Sequence, residues 1–270
     1  MLSEFRWTAI AQERGKILRE YEPVQPYFFF EFVNWFGARV FYDVGANIGS
    51  YSLLMSKIES LEEIHAFEPT PTTFAQLVAN VDLNRLNSRI QCHQIAVSSQ
   101  SGSMQLGIVN DFSGANGLVD THIHASGMCT SVIDVQVERL DALVNDPNDW
   151  PGQALAMKID VEGHEREVLA GAEELVGAHD VLLQIEDYGD AGVLHSQLSL
   201  LGFTQVWRIG ADRYYVRGTK CPSNAELLTL IDAAHDRMIA DFRALSARDS
   251  SRPGAPSITR RVFGDVSTYQ

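Results

Sequence analysis

The sequence predicts an α/β protein whose mostly parallel sheet is doubly wound, with helices on both faces, and ends in an antiparallel hairpin. Three observations carry that prediction. Short apolar runs alternate with amphipathic segments of helical period along the central stretch, the pattern of a sheet covered on both sides. The first run ends in a glycine-rich turn, Asp43-Val44-Gly45-Ala46-Asn47-Ile48-Gly49. Two late β-like runs, 204–209 and 213–216, are joined through Gly210-Ala211-Asp212, which suits a terminal hairpin.

Each element follows from its pattern. Residues 39–44 are a short apolar run closing on an acid, and Tyr51, Leu54, Met55 and Ile58 follow at helical spacing, giving strand one and helix one. Residues 64–67 are strand two. Pro71 stands where a first-turn proline is tolerated, and Phe74, Leu77, Val78 and Val81 recur with the period of a second helix. Residues 90–97 read as one continuous third strand, followed by turn chemistry at 98–102 in place of a helix and by strand-like alternation over 104–109. Residues 110–130, rich in Gly, Ser, Asn and His, read as a substrate loop or lid, because irregular stretches of that length in a compact domain are usually functional. Alternation resumes over 131–137, a short helix covers 140–144, and 155–159 form a buried strand ending at Asp160. A helix over 165–175 leads to a strand over 181–185, and a helix over 193–201 precedes the hairpin.

The flanks are less regular. Tyr27 to Phe36 is densely aromatic, is interrupted by Glu31 and Asn34, and is too short to cross a bilayer, so it is expected as a helix packed on the sheet or roofing the site. After Pro222, Ser223 and Glu226 stand in capping-box register, with Leu227, Ile231, Ala234, Met238 and Leu245 near heptad spacing. That face packs either on its own domain or in a homodimer. The resulting division is an N-terminal helical cap over 1–36, a central domain over 37–220, and a C-terminal helix with an extended tail over 221–270.

Composition narrows the function. Apolar residues make up 45% and charged residues 21%, ordinary for a chain that buries a core. Acidic residues number 35 against 21 basic, a formal net charge of −14, which repels phosphate backbones and anionic lipid heads and weighs against nucleic acid as a partner. The three cysteines, Cys92, Cys129 and Cys221, form no Cys-x-x-Cys pair and suggest neither a disulfide framework nor a zinc knuckle. The first 20 residues lack the continuous apolar stretch of a secretory signal, from which cytoplasmic residence is expected.

The chemistry concentrates at strand ends. Glycines in the turn Asp43-x-Gly45-x-Asn47-x-Gly49 let a ligand approach the backbone, and the helix that follows offers free N–H groups. Strand two ends in Glu68, roughly 25 residues after Asp43, where a carboxylate can accept hydrogen bonds from both ribose hydroxyls of an adenosine ligand. Dinucleotide-binding turns read Gly-x-Gly-x-x-Gly, whereas here the spacing is Gly45-x-Asn47-x-Gly49 behind an acid. A cationic amino-acid tail with a sulfonium suits that acid better than a pyrophosphate would, which selects S-adenosyl-L-methionine.

Three stretches resemble the FkbM family of methyltransferases: Phe41 to Tyr51, Ala66-Phe67-Glu68-Pro69, and above all Lys158-Ile159-Asp160-Val161-Glu162-Gly163-His164-Glu165 running to Leu169-Ala170-Gly171-Ala172. The similarity spans about residues 40–186 and leaves the first 35 residues and everything after Lys220 uncovered. It implies a Rossmann-like class I methyltransferase fold, S-adenosyl-L-methionine as donor, and O-methylation of a hydroxyl on a sugar, glycan or secondary metabolite. Carried over by position, Asp43, Gly45, Ala46, Asn47, Gly49 and Ser50 would surround the methionine end, Glu68 and Pro69 the ribose, and Ala96, Val97 and Ser98 the adenine. The replacement of the usual helix after strand three departs from the common pattern and leaves the adenine side open.

Asp160 and Glu162 lie at the carboxyl end of the strand beside strand one, where open α/β sheets bind ligands, and are expected to face the transferred methyl, with Asp160 also touching the donor. Methylating an alcohol requires the oxygen in line with the methyl and its proton removed. Asp160, Glu162 and His164 are the candidate bases. A helix cap and turn competes as the reading of Glu162, and His164 taken alone reads as a helix-surface residue. Glu186 could join Asp160 and Glu162 as hard oxygen ligands for Mg²⁺, although a structural hydrogen bond is the preferred reading and no metal site is assigned. His122-x-His124 is not counted as a metal site either. Lys158 is expected to pair with a neighbouring acid or the substrate. A non-catalytic S-adenosylmethionine-binding module and, further off, a nicotinamide-dependent oxidoreductase remain as alternatives.

Overall fold

The computed structural model describes residues 2–8, 23–109, 117–118, 129–144, 153–187 and 191–250. The chain runs from α1 (Gln25–Phe36) into β1 (Val40–Val44) and through α2 (Ser50–Met55) to β2 (Glu63–Phe67). Then α3 (Pro71–Leu83), with its proline in the first turn, leads to β3 (Ile90–His93). Four further strands follow: β4 (Ala96–Val97), β5 (Gly102–Ile108), β6 (Gly117–Leu118) and β7 (Ser131–Glu138). After the one-turn helix α4 (Leu140–Leu143) come β8 (Ala154–Ile159), α5 (Glu165–Ala170), α6 (Glu173–Ala178) and β9 (Asp180–Glu186). The chain continues through α7 (Ala191–Leu200), the hairpin β10 (Thr204–Ile209) and β11 (Asp212–Arg217), and α8 (Asn224–Ser250).

The main sheet has the order β10-β11-β9-β8-β1-β2-β3. Its five inner and outer parallel strands are joined on one side by the antiparallel hairpin, as the sequence predicts. Strand order reverses between β1 and β8, so the crevice at their carboxyl ends is the topological switch point where such sheets bind ligands. Side chains alternate across the sheet. Phe41, Ile64, Ala156, Leu182 and Tyr214 join the core beneath α1 and α2, whereas Tyr42, Phe67, Met157, Ile159 and Leu183 pack with Leu169, Leu175 and Leu198 on the other face.

The aromatic segment is a helix lying on the sheet. Phe28 meets Tyr214 edge to face at 4.8 Å, and Phe29 packs against Phe41. Outside it lies α8, which starts with the expected capping box: Ser223 N and Oγ donate to Glu226 Oε2 at 2.8 and 2.7 Å. Leu227, Leu230 and Ala234 are buried in the same core as α1, Tyr27 Oη donates to Asp241 Oδ2 at 2.5 Å, and Arg237 pairs with Glu31. Residues 9–22 and the tail 251–270 lie outside the described residues.

Three segments differ from the sequence reading. The expected single strand over 90–97 is two: β3 pairs with β2, and Ala96–Val97 instead pair with Val137–Glu138 of β7. They open a second sheet of order β4-β7-β5-β6 with its own small core of Ala96, Leu106, Leu118, Val135 and Val137. An apolar run does not encode which neighbour it pairs with. The expected helix over 165–175 breaks at Gly171-Ala172. There a Cβ on residue 171 would lie 1.9 Å from the Ser98 carbonyl oxygen, and Asp141 caps the second piece by accepting from Leu175 N at 2.9 Å. Within the expected irregular loop 110–130 only 117–118 and 129–130 are described, and Gly117–Leu118 form the edge strand β6 paired with Leu106 and Gly107 of β5; His122 and His124 lie outside the described residues.

Candidate active site

A cleft opens over the carboxyl ends of β1, β2 and β8, with about 660 Å³ of space between its walls, open solvent included. On one side it is bounded by the β1 turn (Val44, Gly45, Asn47) and the β2 end (Phe67, Glu68, Pro69, Thr70). Opposite stand Asp160, Val161, Glu162 and His164. The remaining wall is apolar: Ile95 from the link after β3, Ala96 and Val97 from β4, and Leu106 and Leu118 from the rest of the second sheet.

The glycine turn is shaped by close packing. Gly45 has φ +81°, and its N–H donates to the Phe67 carbonyl at 3.0 Å, tying the ends of β1 and β2 together. Asn47 also sits in the left-handed region at φ 50°, which asparagine tolerates. Its N–H donates to Glu68 Oε2 at 3.1 Å, and Thr70 N donates to Glu68 Oε1 at 2.8 Å, so the Glu68 carboxyl is clamped at the cleft wall. Burial pushes that carboxyl above its ordinary value, against the backbone N–H groups that favour its charge.

Several residues expected around the donor do not line the cleft. Asp43 is fully buried, its Oδ2 accepting from Ser52 N at 3.0 Å and Ser52 Oγ at 2.6 Å, so it fastens the start of α2. Burial raises its carboxyl above the usual range, with Lys158 and Ser52 pulling the other way. Gly49 is set by packing, since a Cβ there would lie 2.6 Å from Leu77 Cδ1, and Ala46 N donates to the Phe67 carbonyl at 2.9 Å. Ser50 is buried at the head of α2. Ser98, 1% exposed, lies behind the wall: its N–H donates to the Glu138 carbonyl at 2.9 Å. Two orphaned polar atoms, Asp43 Oδ1 and Ser50 Oγ, nevertheless flank the turn. With the glycine cradle and the clamped Glu68, they fit the amino-acid tail and ribose of S-adenosyl-L-methionine.

The β8 end carries a charge network. Lys158 Nζ, its stem 5% exposed, donates to Asp160 Oδ2 at 2.8 Å and lies 4.8 Å above the Tyr51 ring. Burial pushes Asp160 up, but the Lys158 charge and a hydrogen bond with Glu186 outweigh it and hold the carboxyl below its ordinary value. Oxygens of Asp160, Glu162 and Glu186 lie within 4.8 Å of one another, and Lys158 supplies compensating positive charge there. Glu162 and Gly163 both take positive φ, 57° and 103°, so the signature turn is a strained double reversal at the mouth of the cleft rather than a helix cap. The cap position itself falls to His164, which is 5% exposed and therefore not the helix-surface residue the sequence suggests.

Sequence reasoning missed Glu165. Its Oε1 accepts from Gly163 N at 2.9 Å, bracing the turn, and burial pushes its carboxyl up to about 7, with the Asp160 charge adding to the rise. The sequence signal was its place in the first turn of the helix after the signature, where acids usually serve the N-terminus.

A sheet with this strand order, a glycine turn between β1 and α2, and an acid at the end of β2 defines the class I methyltransferase fold. Residues 43–206, more than half of the chain, match the methyltransferase FkbM domain. The chain belongs to the FkbM methyltransferase family. Methyltransferase sdnD of Sordaria araneosa is 32% identical over 154 residues, 49% of this chain and 60% of its own length. The 31-O-demethyl-FK506 methyltransferase FkbM of Streptomyces tacrolimicus is 30% identical over 62% of this chain and 73% of its own. The hexuronic acid methyltransferase AglP of Haloferax volcanii is 29% identical over 67% and 70%. The chain thus spans less than two thirds of the fungal relative. The crystal structure of methyltransferase FkbM from Methylobacillus flagellatus superposes with a TM-score of 0.46 at 18% identity, covering 67% of this chain and 44% of that one. No helix among the described residues is long and apolar enough to cross a membrane.

Proposed function

We propose that the protein is an S-adenosyl-L-methionine-dependent methyltransferase that methylates a hydroxyl on a sugar, glycan or secondary metabolite. The observation that carries this reading is the clamped Glu68 carboxyl, held by two backbone N–H groups on the wall of a cleft that also opens onto Gly45 and Asn47. Glu68 accepts from the ribose hydroxyls, and the Gly45–Asn47 turn leaves room for the donor beside the backbone. When bound, the donor supplies a methyl on a positively charged sulfur.

The rest falls to the chain's own side chains. Asp160, kept ionised by Lys158, accepts a hydrogen bond from the acceptor hydroxyl and orients its oxygen. A carboxylate of such low basicity is a weak proton acceptor, so Glu162, at the mouth of the cleft, takes the proton and passes it to solvent. The apolar wall of Ile95, Val97, Leu106 and Leu118 excludes water from the nucleoside base.

Support for a hydroxyl acceptor comes from the relative named 31-O-demethyl-FK506 methyltransferase, and support for a sugar acceptor from the one named hexuronic acid methyltransferase. The test is calorimetry of the purified protein with S-adenosylhomocysteine, followed by detection of that product with a panel of glycosides and polyketide alcohols. Binding with turnover supports the reading. Binding without turnover on any hydroxyl acceptor turns it toward a non-catalytic module, and absence of binding overturns it.

A further inference from the structure

We propose that His164 is a positioning residue whose ring, bonded to Ser98, holds the second sheet against the Asp160–Gly163 turn and so sets the width of the cleft on its apolar side. The inference rests on the reading of the cleft as a donor site.

Ser98 is where three parts of the fold meet. It directly follows β4, the strand that opens the second sheet, and its N–H is bonded to the Glu138 carbonyl at the end of β7. Its carbonyl oxygen lies against Gly171, where any side chain would collide. Its hydroxyl and His164 Nε2 are 2.9 Å apart, with both residues buried. On the other side of the bond, His164 closes a turn whose two preceding residues, Glu162 and Gly163, have left-handed backbones. Such a turn has no ladder to hold it, so side-chain bonds fix its course. The cleft runs between these two segments: Ile95, Ala96 and Val97 lie just before Ser98, and Asp160, Val161 and Glu162 just before Gly163 and His164.

The same geometry argues against His164 as the base. Nε2 is engaged by Ser98, Nδ1 faces Glu167 Oε2 at 3.7 Å, and the ring is 5% exposed. A general base must present a lone pair to the acceptor oxygen, and here both ring nitrogens are turned toward protein partners. The sequence places His164 beside the reacting carboxylates, whereas the fold turns its ring toward the nucleoside-base side.

The experiment compares Ser98→Ala, His164→Ala, their combination and His164→Gln, whose amide reaches the Nε2 position. Each single alanine variant is expected to weaken S-adenosylhomocysteine binding about tenfold, the double variant no further, and His164→Gln to stay within about threefold of wild type. Hydrogen exchange of the ligand-free protein should quicken together at 95–98 and 160–164 in either alanine variant. The acidic limb of the pH–rate profile should keep its position. Should His164→Ala not fold, Ser98→Ala, which removes one oxygen, carries the same readouts. A loss of kcat beyond about a hundredfold at unchanged donor affinity, with the acidic limb gone, would make His164 the base and overturn the proposal. Unchanged exchange in Ser98→Ala overturns it as well. If wild-type protein binds no donor, the functional reading fails, while exchange in the ligand-free variants still decides whether the tie exists.

Discussion

The backbones of Gly45 and Asp160 touch: a Cβ on residue 45 would lie 1.8 Å from the Asp160 carbonyl oxygen. That contact joins the glycine turn to the signature turn, 115 positions apart in sequence, across the switch point of the sheet. Gly45→Ala meets both the clash and the left-handed φ of +81°. It is expected to cost about 2–4 kcal/mol of stability, measured by urea denaturation. A loss under about 0.5 kcal/mol would show that the two turns can part without penalty.

Glu68 offers a direct probe of the donor. Because Asn47 N and Thr70 N hold its oxygens in place, Glu68→Ala removes both a ribose acceptor and the partner of two backbone donors. Affinity for S-adenosylhomocysteine, read by calorimetry, should fall about tenfold to a hundredfold, the weight of a hydrogen bond to a charged group. Equal affinity in variant and wild type would place the ribose elsewhere.

Asp160→Asn separates binding from turnover. The amide keeps the shape of the side chain but loses the charge that orients the acceptor hydroxyl and pairs with Lys158. Donor affinity should change less than about threefold while kcat falls by about a hundredfold or more. A parallel fall in both would assign Asp160 to donor binding alone.

Lys158→Met leaves Asp160 on the cleft wall without its cation. Since Lys158 is a principal cause of the lowered Asp160 value, the variant should carry the acidic limb of its pH–rate profile to higher pH. Stability should drop by about 1–2 kcal/mol, less than for a fully buried pair because the Asp160 side chain is 28% exposed. An acidic limb that stays in place would mean that Asp160 does not govern it.

Glu165 makes stability depend on pH. Its carboxyl, ordinarily at 4.5, is pushed up to about 7 in the folded protein, first by burial. The folded form therefore keeps a proton that the unfolded chain releases, and this contribution, complete below about pH 4.5, is lost as pH rises toward about 7. Glu165→Gln retains an acceptor for Gly163 N and removes the titration. The Tm of wild type minus that of the variant should decrease between pH 5 and pH 8, and a constant difference would contradict the assignment.

Much of the scaffold was legible in the residues. The β1–α2 turn and the acid ending β2 announce themselves because glycine and asparagine answer a local demand for positive φ, and that demand is written at the positions that meet it. The terminal hairpin was equally readable from Gly210 and the alternation on both sides. The division of 90–97 was not, since β3 and β4 share one apolar pattern and differ only in the partner each pairs with. Nor was the burial of Asp43, since an acid at a strand end reads as a ligand contact. Here Ser52 holds one carboxylate oxygen in the interior, while the other is left unpartnered among the described residues, beside the glycine turn. The same holds for His164, whose neighbour Ser98 is 66 positions away.

What the sequence determined by itself, then, is the run of elements that builds the main parallel sheet with its hairpin, and the family they belong to, because periodicity, turn chemistry and short motifs are local properties of the chain. Tertiary structure alone decided which acids border the cleft, that Lys158 neutralises Asp160, and that a second sheet supplies the apolar wall. These depend on distances between segments far apart in the chain. Burial and charge act through such distances, so their outcome is set only when the segments are brought together.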